Sequence, residues 1–140
     1  MTIVVDASVA GSWILPDESS TKTERLLEDA LRGQVELSVP ELWIYEMLNL
    51  LLSASWRRRI QERRIEEAFS LVQRIPVSAF DHSATLSRSR ILKLARRFSL
   101  SAYDASYLEL ADRLQAPLAT LDSTLRAAAE SLGLPDAFAA

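Results

Sequence analysis

The segment IVVDAS, residues 3–8, decides the fold class of this chain. Residues 2–5 are short, apolar and largely β-branched, which is typical of a buried strand, and Asp6 follows at the carboxyl end. A second apolar run at 118–121 is followed in the same way by Asp122. In an open parallel α/β sheet, chemistry gathers just beyond the carboxyl ends of the strands. Both aspartates are therefore predicted to occupy that kind of position.

The rest of the chain predicts helices alternating with short strands. Strands are predicted at 2–5, 35–39, 75–77 and 117–121, the third at a sheet edge because proline is tolerated there. Helices are predicted at 8–15, from 20 or 21 to 31 with a Thr21-x-x-Glu24 capping box, and at 40–59, 62–74, 81–97, 102–114 and 123–132. This alternation predicts an α/β fold with a short parallel sheet flanked by helices.

Length and composition exclude several classes of protein. The 140 residues, 49% of them hydrophobic, are predicted to form one domain spanning 1–140. The absence of cysteine excludes disulfides, zinc–thiolate sites and thiol catalysis, and a single histidine excludes His-rich metal sites. The start of the chain does not resemble a signal peptide, and no apolar stretch approaches the roughly 20 residues that span a bilayer. A cytoplasmic protein with no membrane association is expected.

Four carboxylates have the local settings of a metal site. The set is Asp6, Glu46, Asp104 and Asp122. Glu46 interrupts the apolar stretch 42–52, where a buried bare carboxylate is costly unless it is paired or binds metal. If the four converge, a pair about 4 Å apart repels by roughly 4 kcal/mol at an effective dielectric near 20. Protons or divalent cations would offset that repulsion, and oxygen ligands at this density favour Mg²⁺ or Mn²⁺.

Each acid also has a simpler structural explanation. Asp6 and Asp122 precede serine and fit helix caps, whose oxygens accept from unpaired backbone N–H groups. Ser101-x-x-Asp104 matches a capping box. Glu46 would need only to lie at the polar edge of its helix. These alternatives remain open from the sequence.

Three polar residues are predicted to support the acids. Ser8 and Thr120 are placed to hold a water or an acidic neighbour, although either hydroxyl could merely satisfy backbone groups. Asn49 lies three residues after Glu46 and thus on the same helix face, where it would orient Glu46 or a metal-bound water. The single histidine, His82, is an ordinary polar residue at a predicted helix start.

Two surfaces suggest larger partners. A basic block precedes Asp104 and is predicted either to meet phosphates along the approach to the site or to form a solvated helix face. Its members are Arg88, Arg90, Lys93, Arg96 and Arg97. The helix 40–59 carries more apolar surface than one face buries, which indicates either self-association or complete burial within the monomer. The residues concerned are Trp43, Leu50, Leu51 and Trp56.

Four segments in order resemble the PIN-domain ribonucleases, most closely the VapC toxins of bacterial toxin–antitoxin pairs. They are VVDAS at 4–8, EMLN at 46–49, SAYDASYLELA at 101–111 and LATLD at 118–122. The resemblance spans the whole chain and implies a PIN-like three-layer sandwich and a Mg²⁺- or Mn²⁺-dependent endoribonuclease. It also implies RNA as substrate, a homodimer and a cognate antitoxin, with Trp13, Ile14 and Leu15 as candidates for an antitoxin groove.

Two other classes of protein fit part of the pattern. A Mg²⁺-binding receiver-type signalling domain has a similar size, but it requires an acidic pair near the first strand and a late lysine. Asp6 stands alone, and no lysine follows Lys93. A catalytically silent interaction module with the same fold is the other alternative, although the complete acidic set argues against it.

Overall fold

The computed structural model describes residues 1–139, in which four parallel strands form one sheet in the order β3-β2-β1-β4. The strands are β1 Thr2–Val5, β2 Glu36–Pro40, β3 Val77–Phe80 and β4 Leu118–Ala119. The helices are α1 Ala7–Ser12, α2 Thr21–Leu31, α3 Trp43–Trp56, α4 Ile65–Arg74, α5 Thr85–Phe98, α6 Ala102–Leu114 and α7 Ser123–Ser131. Short 3₁₀ turns occupy Pro16–Glu18 and Glu62–Arg64. The predicted α/β fold with a short parallel sheet flanked by helices is confirmed.

The centre of the molecule is the pairing of β1 with α6. Ile3, Val4 and Val5 are almost completely buried. Seven consecutive residues of α6, 105–111, are also buried, which is more than one amphipathic stripe supplies and means that α6 is enclosed on most sides. Because α6 contacts β1, β2 and β4, its first turn is fixed close to the sheet.

Strand register brings two chain segments together at one edge of the sheet. Val5 pairs with Ala119, and the Asp6 N–H donates to the Ala119 carbonyl at 3.1 Å. The carboxyl ends of β1 and β4 are therefore adjacent, and the helices α1 and α7 begin directly after them. This is the edge where the sequence predicted Asp6 and Asp122.

Several predicted boundaries were wrong, each for a local reason. The helix predicted from Pro40 begins at Trp43, because Pro40 is still in β2 and aligns with Phe80 of β3. The edge strand predicted at 75–77 runs instead over Val77–Phe80. Helix α3 ends at Trp56, since Arg58 adopts a left-handed conformation with φ of 59°.

Other elements are shorter than predicted. Helix α1 stops at Ser12, where the Trp13 N–H closes the last turn on the Ala10 and Gly11 carbonyls. Helix α5 starts at Thr85 rather than 81, and β4 covers Leu118–Ala119 within the predicted 117–121.

The capping box of α2 was placed one residue too late. Ser20, not Thr21, is the N-cap, and the reciprocal hydrogen bonds join it to Thr23.

Burial changes the interpretation of the apolar residues on α1 and α3. Trp43 and Leu51 belong to the core, whereas Trp56 is 77% exposed. Only some of the apolar side chains predicted to form a contact surface on this helix are therefore exposed. The antitoxin groove predicted at Trp13, Ile14 and Leu15 was wrong. Ile14 and Leu15 are core residues, and the Trp13 indole N–H donates to the Thr23 carbonyl at 2.6 Å.

No helix within residues 1–139 combines the length and apolar character that crossing a membrane requires.

Two leucines of α5 provide a matched test of the packing. Leu94 is 2% exposed and Leu92 is 62% exposed. Leu94→Ala should reduce the free energy of unfolding by about 2–5 kcal/mol, because it leaves a cavity as well as losing buried surface. Leu92→Ala should change it by about 0.5 kcal/mol or less. Urea denaturation measures both, and equal losses would contradict the described orientation of α5.

Candidate functional site

Asp6 is the most deeply buried of the four acids. It is 6% exposed and caps α1, with Oδ1 accepting from the Val9 N–H at 3.1 Å and from the Ser8 hydroxyl at 2.6 Å. Its Oδ2 accepts from the Thr120 hydroxyl. Burial raises the pKa of the Asp6 carboxyl, while these hydrogen bonds act in the opposite direction.

Ser8 and Thr120 tie the ends of β1 and β4 together. The Ser8 hydroxyl accepts from the Leu121 N–H at 3.0 Å, and the Thr120 hydroxyl accepts from the Asp122 N–H at 3.0 Å. Each hydroxyl also donates to Asp6, so each satisfies a backbone group and orients a carboxylate at the same time.

Asp122 caps α7 with one of its two oxygens. Its Oδ1 accepts from the Thr124 and Leu125 N–H groups at 2.8 and 3.3 Å. Because both cap contacts fall on Oδ1, capping does not prevent Oδ2 from binding a cation. The structural explanation offered for Asp122 and a metal-binding role are therefore compatible.

Arg126 supports this corner and was not singled out from the sequence. Its Nη2 donates to the Thr120 carbonyl at 2.8 Å, and its Nε lies 3.8 Å from Asp136 Oδ2. Arg126 is four residues after Asp122, hence on the same face of α7, and that spacing was the available signal. It fixes the backbone from which the Thr120 hydroxyl reaches Asp6.

Glu46 reaches the site from α3 and is held by Tyr107 of α6. The Tyr107 hydroxyl donates to Glu46 Oε1 at 2.5 Å, and the Tyr107 ring is 1% exposed. Burial and the adjacent Glu46 charge raise the pKa of Tyr107, so the phenol remains a donor. Only a weak feature of the sequence pointed to this role of Tyr107. A buried tyrosine hydroxyl requires a hydrogen-bond partner, and Tyr107 lies one turn after Asp104.

The acids influence one another electrostatically. Burial raises the pKa of Glu46, and the charges of Asp104 and Asp6 raise it further, although the Tyr107 hydrogen bond lowers it. The pKa of Asp104 is raised by burial and then by the charge of Asp122. These electrostatic interactions connect Glu46 with Asp104 and Asp6, and Asp104 with Asp122.

Asp104 lies in the first turn of α6. The Ser101 hydroxyl accepts from the Asp104 N–H at 3.1 Å and caps the helix, which leaves the Asp104 carboxylate itself outside the cap. It is half-buried.

The donor set fits a hard divalent cation by its chemistry. All four side chains offer carboxylate oxygens, and neighbouring carboxylate charges help to raise the pKa of Glu46 and of Asp104. Within residues 1–139, however, no three acidic or imidazole groups already surround a common point at ligand distance. The side chains would therefore have to rearrange for these residues to hold an ion together.

The remaining predicted residues lie around the edges of the site. Asn49 is exposed and lines a cleft that also contains Glu46. His82 belongs to a different cluster, where its Nε2 lies 2.8 Å from Glu109 Oε2 without hydrogen-bond alignment. Glu109 also contacts Arg113 at 3.2 Å.

The basic block lies along α5 and is only partly available for other contacts. Arg90 forms an ion pair with Asp112 at 2.8 Å, and Arg88 donates to the His82 carbonyl at 2.9 Å. Arg97 stacks over the Phe98 ring at 4.7 Å. Lys93 and Arg96 are exposed.

Comparison with known proteins gives a consistent family. Residues 3–131 match the model of the PIN domain. Ribonuclease VapC3 of Pyrobaculum aerophilum is 30% identical over 129 residues, covering 89% of this chain and 92% of that protein.

Solved structures show the same fold at low sequence identity. The VapBC2 complex of Rickettsia felis, bound to a DNA fragment from its promoter, superposes with a TM-score of 0.66 at 12% identity, covering 91% of this chain and 92% of that one. FitAcB from Neisseria gonorrhoeae gives a TM-score of 0.59 at 18% identity, covering 91% and 93%. With a family match over residues 3–131, this chain belongs to the PIN-domain family.

Proposed function

We propose that this protein is a Mg²⁺- or Mn²⁺-dependent endoribonuclease that acts as the toxin of a toxin–antitoxin pair. The observation that supports the proposal is a pair of hydroxyl contacts: Thr120 joins Asp6 to the Asp122 backbone, and Tyr107, one turn after Asp104, joins Glu46 to α6. The 30%-identical relative is named a ribonuclease, which supports RNA as the substrate. A catalytically silent interaction module with this fold is the alternative, and incubation of the purified protein with mixed RNA distinguishes the two.

The residues divide into ligands and supports. Asp6, Asp104 and Asp122 are the direct ligands, and Glu46 binds the ion directly or through water and helps to position the attacking water. When bound, the ion would polarise the phosphate, generate the nucleophile from water and stabilise the leaving oxygen.

The supports limit how far these side chains move. Both oxygens of Asp6 are oriented by hydroxyl donors, one from Ser8 and one from Thr120. Tyr107 orients Glu46 across the interface between α3 and α6. Groups that orient metal ligands in this way typically affect metal affinity or activity by about 10–100-fold.

We further propose one domain, a homodimer and an antitoxin partner. One sheet and one cluster of buried residues support a single domain. Trp56, 77% exposed on α3, supports an additional contact surface. The solved relatives include VapBC and FitAcB, which supports an antitoxin. An antitoxin arginine would match the charge of the acidic group through its planar fork.

Removal of single acids gives the first test of the site. Asp6→Asn and Asp104→Asn should each abolish RNA cleavage, as should excess EDTA. Both variants should retain the wild-type circular dichroism spectrum, because asparagine matches aspartate in size and the amide oxygen at position 6 can still accept from the Val9 N–H. Full cleavage by either variant, or in EDTA, would refute the assignment.

The same variants test the electrostatics through pH. Because the folded-state pKa values of Asp6, Glu46 and Asp104 are raised, their contribution to stability is complete below the ordinary carboxyl pKa. That contribution is lost as pH rises through the raised values. In metal-free buffer the melting temperature should therefore fall as pH rises from about 4 towards neutrality.

Asp6→Asn and Asp104→Asn should each reduce the decrease of the melting temperature with rising pH. At neutral pH, each variant should melt at or above the wild-type melting temperature. Mg²⁺ should raise the wild-type melting temperature more than that of either variant. Identical pH profiles for all three proteins would show that the acids do not interact.

Salt dependence tests the basic block. Lys93→Gln combined with Arg96→Gln should weaken RNA binding and reduce the slope of log affinity against log salt by about 1.4, since each lost phosphate contact with a single strand removes roughly 0.7. Arg63→Gln combined with Arg64→Gln is the charge-matched control and should leave the slope unchanged. If both pairs behave alike, α5 has no special role in RNA binding.

Co-expression tests the toxin–antitoxin part of the proposal. Expression of this chain alone should arrest growth, whereas co-expression with the adjacent small gene should restore growth and give a complex that co-purifies. Asp104→Asn should abolish toxicity and also weaken the complex, because the antitoxin is proposed to contact the acids. A folded chain that is harmless alone, or that no neighbouring product binds, would refute this part while leaving nuclease activity open.

A further inference from the structure

A cleft of about 600 Å³ adjoins the acidic group, between the first turns of α3 and α6. Its lining includes Tyr45, Glu46, Asn49, Leu50 and Tyr103. We propose that this cleft binds one unpaired nucleobase of the RNA, next to the phosphate that is cleaved. The inference rests on the proposed ribonuclease function and adds to it the element that selects the position of the cut.

Two exposed tyrosines are the first argument. Tyr45 is 70% exposed and Tyr103 is 65% exposed, although both line the same cleft. Each directly precedes a proposed metal ligand, Tyr45 before Glu46 and Tyr103 before Asp104. Single-stranded RNA is bound mainly by stacking its bases on exposed aromatic side chains. The tyrosines therefore lie where a base would be when its phosphate reaches the acids.

The apolar floor is the second argument. Leu42 and Leu50 are half-buried and line the cleft. Leu50 packs over Gly11, where an added Cβ would lie 2.6 Å from Leu50 Cδ1, so the glycine allows α1 and α3 to approach and shapes this floor. The volume lies within the range of about 300–1,000 Å³ that small-ligand pockets occupy. An apolar floor with aromatic walls suits the faces of a planar base.

Asn49 supplies the polar group. It lies one turn after Tyr45 on α3, is exposed and lines the same cleft. Its amide offers a donor beside an acceptor, the combination that pairs with the edges of bases. We assign Asn49 to base selection rather than to orientation of Glu46.

Continuity with the acidic group favours RNA over a protein segment as the occupant. Glu46 lines the cleft and also interacts with the charges of Asp104 and Asp6. A base is joined to its own phosphate through a single sugar. One nucleotide can therefore place its base in the cleft and its phosphate at the acids.

The test compares an unmodified single-stranded RNA with copies that carry an abasic nucleotide at each position in turn. Binding is measured by fluorescence anisotropy in the Asp6→Asn background, in which the RNA stays intact. One abasic position should weaken binding about 5–100-fold, the range expected for loss of one stacked base. The discrimination should disappear in the double variant Tyr45→Ala and Tyr103→Ala, because the abasic and unmodified RNAs then bind equally weakly.

Two controls separate stacking from other effects. The double variant Tyr45→Phe and Tyr103→Phe keeps the rings and should retain the discrimination. Phe69→Ala removes another exposed aromatic side chain that does not line this cleft and should behave like the parent. Asn49→Ala, assayed in the otherwise wild-type enzyme, should change the preference among the four bases at the identified position. A uniform loss of cleavage on all sequences would instead overturn the assignment of Asn49.

Two outcomes would overturn the nucleobase site. One is undiminished abasic discrimination in the alanine double variant. The other is unchanged RNA binding with loss of antitoxin binding, which would make the cleft a peptide-docking surface. The result is independent of catalysis: discrimination without any cleavage by the wild-type protein would refute the nuclease and leave the base site standing. Cleavage by the wild-type protein without any abasic discrimination would refute the base site and leave the nuclease function standing.

Discussion

Burial of the Asp6 carboxylate at the end of β1 is the constraint on which the rest of the site depends. A carboxylate that is 6% exposed requires compensation, because desolvation penalises its charged form. Ser8, Val9 and Thr120 supply it with donors, and Thr120 is in turn held by Arg126. The hydrogen-bond donors at the junction of β1 and β4 are thus arranged to compensate the burial of the Asp6 carboxylate.

Helix geometry gives a second form of compensation. Helices α1, α6 and α7 begin at Asp6, Ser101 and Asp122, so their first turns face the acidic group. The N-terminus of a helix carries partial positive charge, which favours nearby anions by about 0.3–1 kcal/mol each. Capping and metal binding are therefore not competing explanations of these aspartates. The partial positive charge of a helix N-terminus favours an aspartate cap. It also lowers the electrostatic cost of placing several carboxylates at this end of the sheet.

The sequence was sufficient where the signals are local. Helix α6 was predicted with its observed bounds because the Ser101-x-x-Asp104 pattern marks its start, and Ser101 is indeed its N-cap. The four acids were selected from their local settings: Asp6 and Asp122 follow apolar runs, Glu46 interrupts one, and Asp104 lies at a helix start. Their supports were not, since Tyr107 and Glu46 are 61 residues apart and Thr120 and Asp6 are 114 apart.

Tertiary structure also overrode local patterns elsewhere. Pro40 resembles a helix start but completes a strand, because β3 aligns beside it. The apolar run at Trp13, Ile14 and Leu15 was predicted to line a surface groove, but Ile14 and Leu15 are buried in the core.

Glu46 shows how far the protein's own groups compensate a buried carboxylate. A hydrogen bond to a charged group contributes about 1.5–3 kcal/mol, yet burial and two neighbouring charges still leave the pKa of Glu46 raised. The Tyr107 hydrogen bond therefore orients Glu46 without fully offsetting its burial, and a proton, a divalent cation or an inserted arginine would supply the remaining compensation.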